Sequence, residues 1–239
     1  MKSVAIIPAR LASTRLPGKM LREIAGKPLI AWVYEAVLSS PMLEDVIVAT
    51  DSHEILEVCR SHGWKAQMTS SNHRSGTERV HEISNSISAD VYVNVQGDEP
   101  LVRLEQIATL LHVMRDPSVL VGTVKTPCSP DEVCNPNAVK VVTATDGRAL
   151  YFSRATIPFD RDGTGPLYFK HLGLYAYRKP ALDLFVSQQE SSLEKSERLE
   201  QLRFLENGIS IYVGETPFDS IGVDTEDDLR RVAAILRRG

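Results

Sequence analysis

Val-Ala-Ile-Ile-Pro-Ala-Arg-Leu-Ala-Ser-Thr-Arg-Leu-Pro-Gly-Lys, residues 4–19, decides how the rest of the chain is read. Val4 to Ile7 is an apolar run the length of one buried strand. Pro8 is expected to end it, because proline has no N–H for a ladder. A loop of small residues follows, carrying Arg10, Arg15 and Lys19. Small side chains let a ligand approach the backbone, and free N–H groups with cations suit a polyphosphate. An ordinary solvated loop fits the same residues, and on pattern alone the two readings stand level. The loop has neither G-x-x-x-x-G-K-[ST] nor G-x-G-x-x-G, which argues against P-loop kinases and dinucleotide dehydrogenases.

Outward from this stretch, strand and helix patterns alternate. Residues 45–50 read as a buried strand, 52–62 as a helix stopped by Gly63, and Val80, Ile83 and Ile87 as a helix after Ser75-Gly76. Pro28 suits a first helical turn, with Ile30, Val33 and Val37 at helical spacing behind it. Val91 to Gln96 and 119–126 read as strands, with a helix at 103–115 between them. This order predicts an α/β fold, a mostly parallel sheet flanked by helices. Ligands bind such sheets beyond the carboxyl ends of strands, where Arg10, Thr50 and Asp98 fall.

The middle of the chain changes character. Val139–Thr143 and Ala149–Ser153 flank Asp146-Gly147, a hairpin signal, and a strand is expected at 168–177. These segments predict an antiparallel insert near 127–180 within a single 1–239 domain. Ser191 and Glu194 form a capping box, opening one helix expected to run past Leu199, Leu202 and Leu205 to Gly208. On that helix Glu197 and Gln201 would share a face. A last strand at 209–213 leads to Gly222-Val223-Asp224-Thr225 and a final helix.

A net charge of −4 argues against non-specific nucleic-acid or membrane binding. Three cysteines without C-x-x-C spacing give no disulfide framework or zinc knuckle and fit reduced cytosolic thiols. No signal peptide is expected, and no apolar run approaches a membrane span.

The opening stretch resembles the signature of the sugar-acid cytidylyltransferases, in the 3-deoxy-manno-octulosonate (KDO) branch, whose members make CMP-KDO. The resemblance continues in order through Ser75-Gly76-Thr77-Glu78-Arg79, Asn94-Val95-Gln96-Gly97-Asp98-Glu99-Pro100, Asn135-Pro136-Asn137-Ala138-Val139-Lys140, Tyr151-Phe152-Ser153-Arg154-Ala155, Lys170-His171-Leu172-Gly173, Leu199-Glu200-Gln201-Leu202-Arg203 and Gly222-Val223-Asp224-Thr225. It implies a Rossmann-like, nucleotidyltransferase-like fold. It also implies a cytosolic homodimer that joins CTP to KDO with Mg²⁺ for lipopolysaccharide synthesis. The same chemistry on 8-amino-KDO or a sialic acid is the nearest rival, and a nucleotide-binding regulator without turnover is the rival of another class.

The residue roles rest on both routes. Arg10, Arg15 and Lys19 would neutralise the triphosphate. Asp98 would hold Mg²⁺, although Gly97-Asp98 also suits a plain turn. The resemblance implies that Asp224 completes the metal site, although an Asp or Thr before an apolar helix is usually an N-cap; Thr225 as cap and Asp224 as ligand satisfies both. The resemblance implies that Arg74, Ser75 and Gln96 contact cytosine, beside the Pro8-Ala9 and Gly97 backbone. It likewise implies that Arg154, His171, Glu197 and Gln201 bind the sugar acid, Arg154 through a bidentate fork to the carboxylate. Without it, Glu197 and Gln201 read as a solvated helix face and His171 as a hydrogen-bonded core residue. The chain departs from the family pattern at Met20, where Pro is usual, and in the short loop after Asp162; neither position is expected to touch a ligand.

Overall fold

The computed structural model describes residues 1–12 and 16–237 and divides into two compact units, Met1–Ile107 with Ser220–Gly239, and Ala108–Asp219.

In the first unit β1 (Ser3–Ala9) lies between β4 (Asp45–Thr50) and β6 (Val91–Asn94), and β5 (Ala66–Met68) pairs with the far side of β4. Every pairing among these four strands is parallel, as the alternation required. Both faces of β1 are buried, so it reads as a continuous apolar run. The helices are α1 (Leu29–Leu38), α2 (His53–Ser61) and α3 (Gly76–Ser84); a small hairpin of β2 (Glu23–Ile24) and β3 (Lys27–Pro28) precedes α1. Helix α4 (Leu104–Val113) carries the chain into the second unit, and α9 (Glu226–Leu236) closes the first. Of the apolar stripe on α9 only Val232 is buried.

Pro8 does not end β1. The strand runs on to Ala9, with Pro8 opposite Ala49 and Ala9 opposite Thr50. On the other side, pairing with β6 stops at Ile6. The Pro8 carbonyl points toward Gly97, so its nitrogen faces that same open side and β4 asks no N–H of it.

In the second unit β7 (Val121–Pro127) pairs antiparallel with β10 (Phe169–Tyr177) and parallel with β11 (Ile211–Glu215). The expected hairpin is β8 (Lys140–Thr143) and β9 (Ala149–Ser153), turning at Gly147 with φ +86°; β8 joins the edge of β10 at Lys140 and Lys170. This mixed sheet carries the antiparallel part of the fold. Short α5 (Pro130–Val133) and α6 (Lys179–Ser187) complete the unit with α7 (Ser192–Glu197) and α8 (Leu202–Glu206).

The single helix expected from Ser191 to Gly208 is instead α7 and α8, broken at Arg198, which adopts a left-handed φ of 55°. Such a conformation costs a non-glycine residue of order 1 kcal/mol. The break lets Arg203 on α8 fold back onto Glu194 on α7 in a buried bidentate pair, Nε to Oε2 at 2.7 Å and an η nitrogen to Oε1 at 2.6 Å. The Ser191–Glu194 capping box is present as expected.

Candidate active site

A cavity of about 630 Å³ opens in the first unit where the strand ends and helix starts meet. Nine of the ten residues expected around the nucleotide line it: Pro8, Ala9 and Arg10 from the end of β1, then Lys19, then Arg74 and Ser75 before α3, and Gln96, Gly97 and Asp98 after β6. Asp224, just before α9, lines it too. Arg15 lies outside the described residues. Thr50 ends β4 but is turned inward, fully buried, where its hydroxyl accepts the Ser52 N–H at 3.1 Å.

Ser75 caps α3, accepting the Glu78 N–H at 3.2 Å, so the positive end of that helix opens on the cavity. Gly97 is needed for space and not for its dihedral. A Cβ there would meet the Pro8 carbonyl oxygen at 2.9 Å and the Met20 sulfur at 3.2 Å.

The Lys19 ammonium is paired with the Asp98 carboxylate and donates to Asp224 Oδ1 at 3.0 Å and to the Val223 carbonyl at 3.3 Å. Burial works to lower this ammonium, but the Asp98 charge and the hydrogen bonds to Asp98 and Asp224 outweigh it and hold it above its ordinary value. Thr225, not Asp224, caps α9: its hydroxyl accepts the Asp228 N–H at 3.2 Å and Asp228 completes a capping box. That leaves the Asp224 carboxylate to the cavity. Two hard oxygen donors of one charge converge there. No cluster of three or more ligating side chains is found among the described residues. A two-carboxylate set of this kind suits Mg²⁺, which takes its remaining ligands from phosphate and water.

The four residues expected to hold a sugar acid all belong to the second unit. Arg154 and Glu197 are brought together. The Glu197 carboxylate accepts from the Ser153 hydroxyl at 2.5 Å and the Arg154 main-chain N–H at 2.9 Å. The Arg154 guanidinium donates to three main-chain carbonyls, Glu197 at 2.7 Å, Pro136 at 3.0 Å and Arg198 at 3.4 Å. Three of its five donors are thus spent on the chain itself. Glu197 ends α7 and Gln201 caps α8, so the two do not share one helical face.

Gln201 is 3% exposed, and its amide nitrogen has no hydrogen-bond partner among the described residues. The His171 imidazole is pushed down to about 3 by burial, and is therefore neutral at ordinary pH. Its Nε2 is hydrogen-bonded with the Thr123 hydroxyl at 3.0 Å, and that hydroxyl also lies 2.9 Å from the Leu174 carbonyl.

A family model described as Cytidylyltransferase matches residues 4–211. The 3-deoxy-manno-octulosonate cytidylyltransferase of Koribacter versatilis is 66% identical over 238 residues, 99% of this chain and 91% of that one. That of Acidobacterium capsulatum is 57% identical over 98% of this chain and 96% of its own length. A solved CMP:2-keto-3-deoxy-manno-octonic acid synthetase complexed with CTP is 43% identical with a TM-score of 0.96, covering 100% of this chain and 99% of that one.

The chain belongs to the cytidylyltransferases, in their 3-deoxy-manno-octulosonate branch.

As a cytidylyltransferase its cavity holds residues that sequence reasoning passed over. Met20, which departs from the family pattern, is among the residues that line it. Arg79 lines it from α3 while paired with Asp51 and donating to the Thr69 hydroxyl at 2.7 Å. Arg79 stood inside a matched motif; what the sequence lacked was any sign that a buried arginine would reach across to β4's end. His73 also lines the cavity and is held by Glu82.

Proposed function

We propose that this chain transfers CMP from CTP to the anomeric 2-hydroxyl of KDO, giving CMP-KDO and pyrophosphate and activating KDO for lipopolysaccharide biosynthesis. The observation that carries the reading is the convergence of nine of the ten expected nucleotide residues on one cavity walled by a carboxylate pair. The relatives named above support it with their own names and with bound CTP.

On this reading Arg10, Arg15 and Lys19 balance the charge that shifts onto the departing pyrophosphate. Nucleotidyl transfer asks the protein mainly to position groups and stabilise oxygens. Arg74 and Gln96 offer donors to the pyrimidine O2 and N3 beside the capped start of α3. Asp98 and Asp224 would hold Mg²⁺, which makes a phosphate a better electrophile and eases loss of the attacking hydroxyl's proton. Gln201 offers a buried, unspent N–H to a sugar hydroxyl, Glu197 an acceptor, and neutral His171 a fixed surface. Arg154 has two N–H groups left for the sugar carboxylate. The sugar hydroxyl itself attacks the α-phosphorus, so no protein nucleophile is needed.

The test is pyrophosphate release, screened over CTP, UTP and ATP with KDO, 8-amino-KDO and sialic acid. Release confined to CTP with KDO is the expected result. Release with another sugar acid alone, or none with any pair, overturns it.

We further propose a cytosolic homodimer. A cytosolic place fits a consumer of CTP. Among the described residues no helix is long and apolar enough to cross a membrane. For the dimer, Leu150, Phe159 and Leu167 in the insert are 62%, 86% and 66% exposed, which is costly in water unless a partner covers them. Light scattering should give twice the chain mass, and Phe159→Asp should shift it toward one; a monomeric wild type sinks the proposal.

A further inference from the structure

The Lys19 ammonium carries three N–H donors, and three acceptors take them: Asp98, Asp224 and the Val223 carbonyl. In this arrangement none is left for a phosphate, although Lys19 lines the cavity assigned to the triphosphate. The two carboxylates do not owe their closeness to Lys19 alone. The Val223 N–H donates to the Asp98 carbonyl at 2.8 Å, the Ser220 hydroxyl to Glu99 at 2.6 Å, and Arg22 to Glu226 at 2.6 Å. The first two bonds fix the segment before α9 against the turn after β6, and the third ties the first turn of α9 to the residue that follows Leu21. Two like charges on one ammonium repel each other, and a cation between them relieves that repulsion.

We propose that Lys19 positions Asp98 and Asp224 by standing in for the divalent cation, and that exchange of the ammonium for that cation frees Lys19 to bind the triphosphate. Cation and nucleotide then bind as one coupled event, because each needs the Lys19 side chain to leave its place in this structure. The proposal rests on the reading of the cavity as a CTP and Mg²⁺ site. It departs from that reading in one consequence. A lysine that only neutralises phosphate has no effect on cation binding when nucleotide is absent. A lysine that occupies the cation's place competes with it, so removing a positive charge should tighten the binding of a positive ion.

The experiment is Mn²⁺ titration followed by the spin signal of the free ion, without sugar, in the presence and absence of CTP. Wild type, Lys19→Met, Lys19→Gln and Asp224→Asn are compared. Without CTP, Lys19→Met should bind Mn²⁺ at least about tenfold tighter than wild type, within the usual range of coupling between sites. CTP should then tighten Mn²⁺ binding strongly in wild type and less in the variant, since linkage is reciprocal. Lys19→Gln, which keeps length and a donor without the charge, serves where the Met variant does not fold. Variants that bind Mn²⁺ no tighter than wild type overturn the exchange. The cation reading of the site fails separately, if CTP brings no Mn²⁺ binding in wild type that Asp224→Asn removes.

Discussion

Arg154 and Glu197 hold each other twice. The Arg154 side chain donates to the Glu197 main-chain carbonyl at 2.7 Å, and the Glu197 side chain accepts the Arg154 main-chain N–H at 2.9 Å. With the Arg198 carbonyl also on the guanidinium, Arg154 caps the carboxyl end of α7. Arg154→Lys keeps the charge but cannot span three carbonyls. It should lower stability by about 1–3 kcal/mol through unpaired carbonyls, and weaken KDO binding with CTP binding unchanged. Urea unfolding and calorimetry with KDO beside a non-hydrolysable CTP analogue check both. Wild-type KDO affinity in this variant removes Arg154 from the sugar site.

Gly97 carries no positive φ in this structure, so its replacement is a test of space alone. Gly97→Ala drives a Cβ against the Pro8 carbonyl oxygen, which belongs to a strand and cannot step aside. Met20 can yield, being a flexible chain end. The expected cost is about 1–3 kcal/mol of stability with a raised KM for CTP. Unchanged melting and unchanged CTP kinetics would show that the turn after β6 relaxes freely.

The parallel half of the fold was legible because β1, β4 and β6 are each a short apolar run with a helix pattern behind it. The cavity was legible for the same reason, since strand ends in a parallel sheet share one edge. What was not legible depended on distant partners. Nothing near Arg198 announces a left-handed residue; the buried Arg203–Glu194 pair requires it. Pro8 looked like a stop because the sequence cannot say that β6 leaves it one-sided. Strand β5 has three residues, too few for any period. Helix α6 did leave signals, Pro180 at its start and Ala181, Leu182 and Phe185 on its buried face. In the second unit the motifs named the residues expected at the sugar acid, but not that Arg154 would be shared with main-chain carbonyls.

His171 offers a pH dependence with a fixed sign. Burial pushes its imidazole from an ordinary 6.5 to about 3. Between those values the unfolded chain binds a proton that the folded chain refuses. The stabilising contribution is therefore complete above pH 6.5 and is lost as pH falls toward 3, with a slope of up to about 1.4 kcal/mol per pH unit. Removing the group in His171→Gln should flatten the acid limb of stability against pH. A variant with the same acid limb as wild type would mean that His171 is protonated without cost.

The pair Asp224 and Thr225 separates chemistry from folding in adjacent residues. Thr225 accepts the Asp228 N–H and caps α9, while Asp224 faces the cavity and takes part in the Lys19 contact. Thr225→Ala should cost about 0.5–2 kcal/mol of stability and leave turnover close to wild type. Asp224→Asn keeps the shape and loses the charge, so it should melt near wild type while turnover falls by two orders of magnitude or more, roughly what loss of one electrostatic contact at a reacting phosphate removes. Its Mg²⁺ dependence should shift to higher concentration, because one of two carboxylates is gone. Melting temperature and Mg²⁺-dependent pyrophosphate release, measured on both variants, give opposite patterns if the assignment holds. The reverse pattern, early melting with intact turnover in Asp224→Asn, would return Asp224 to the helix and leave Asp98 without its partner.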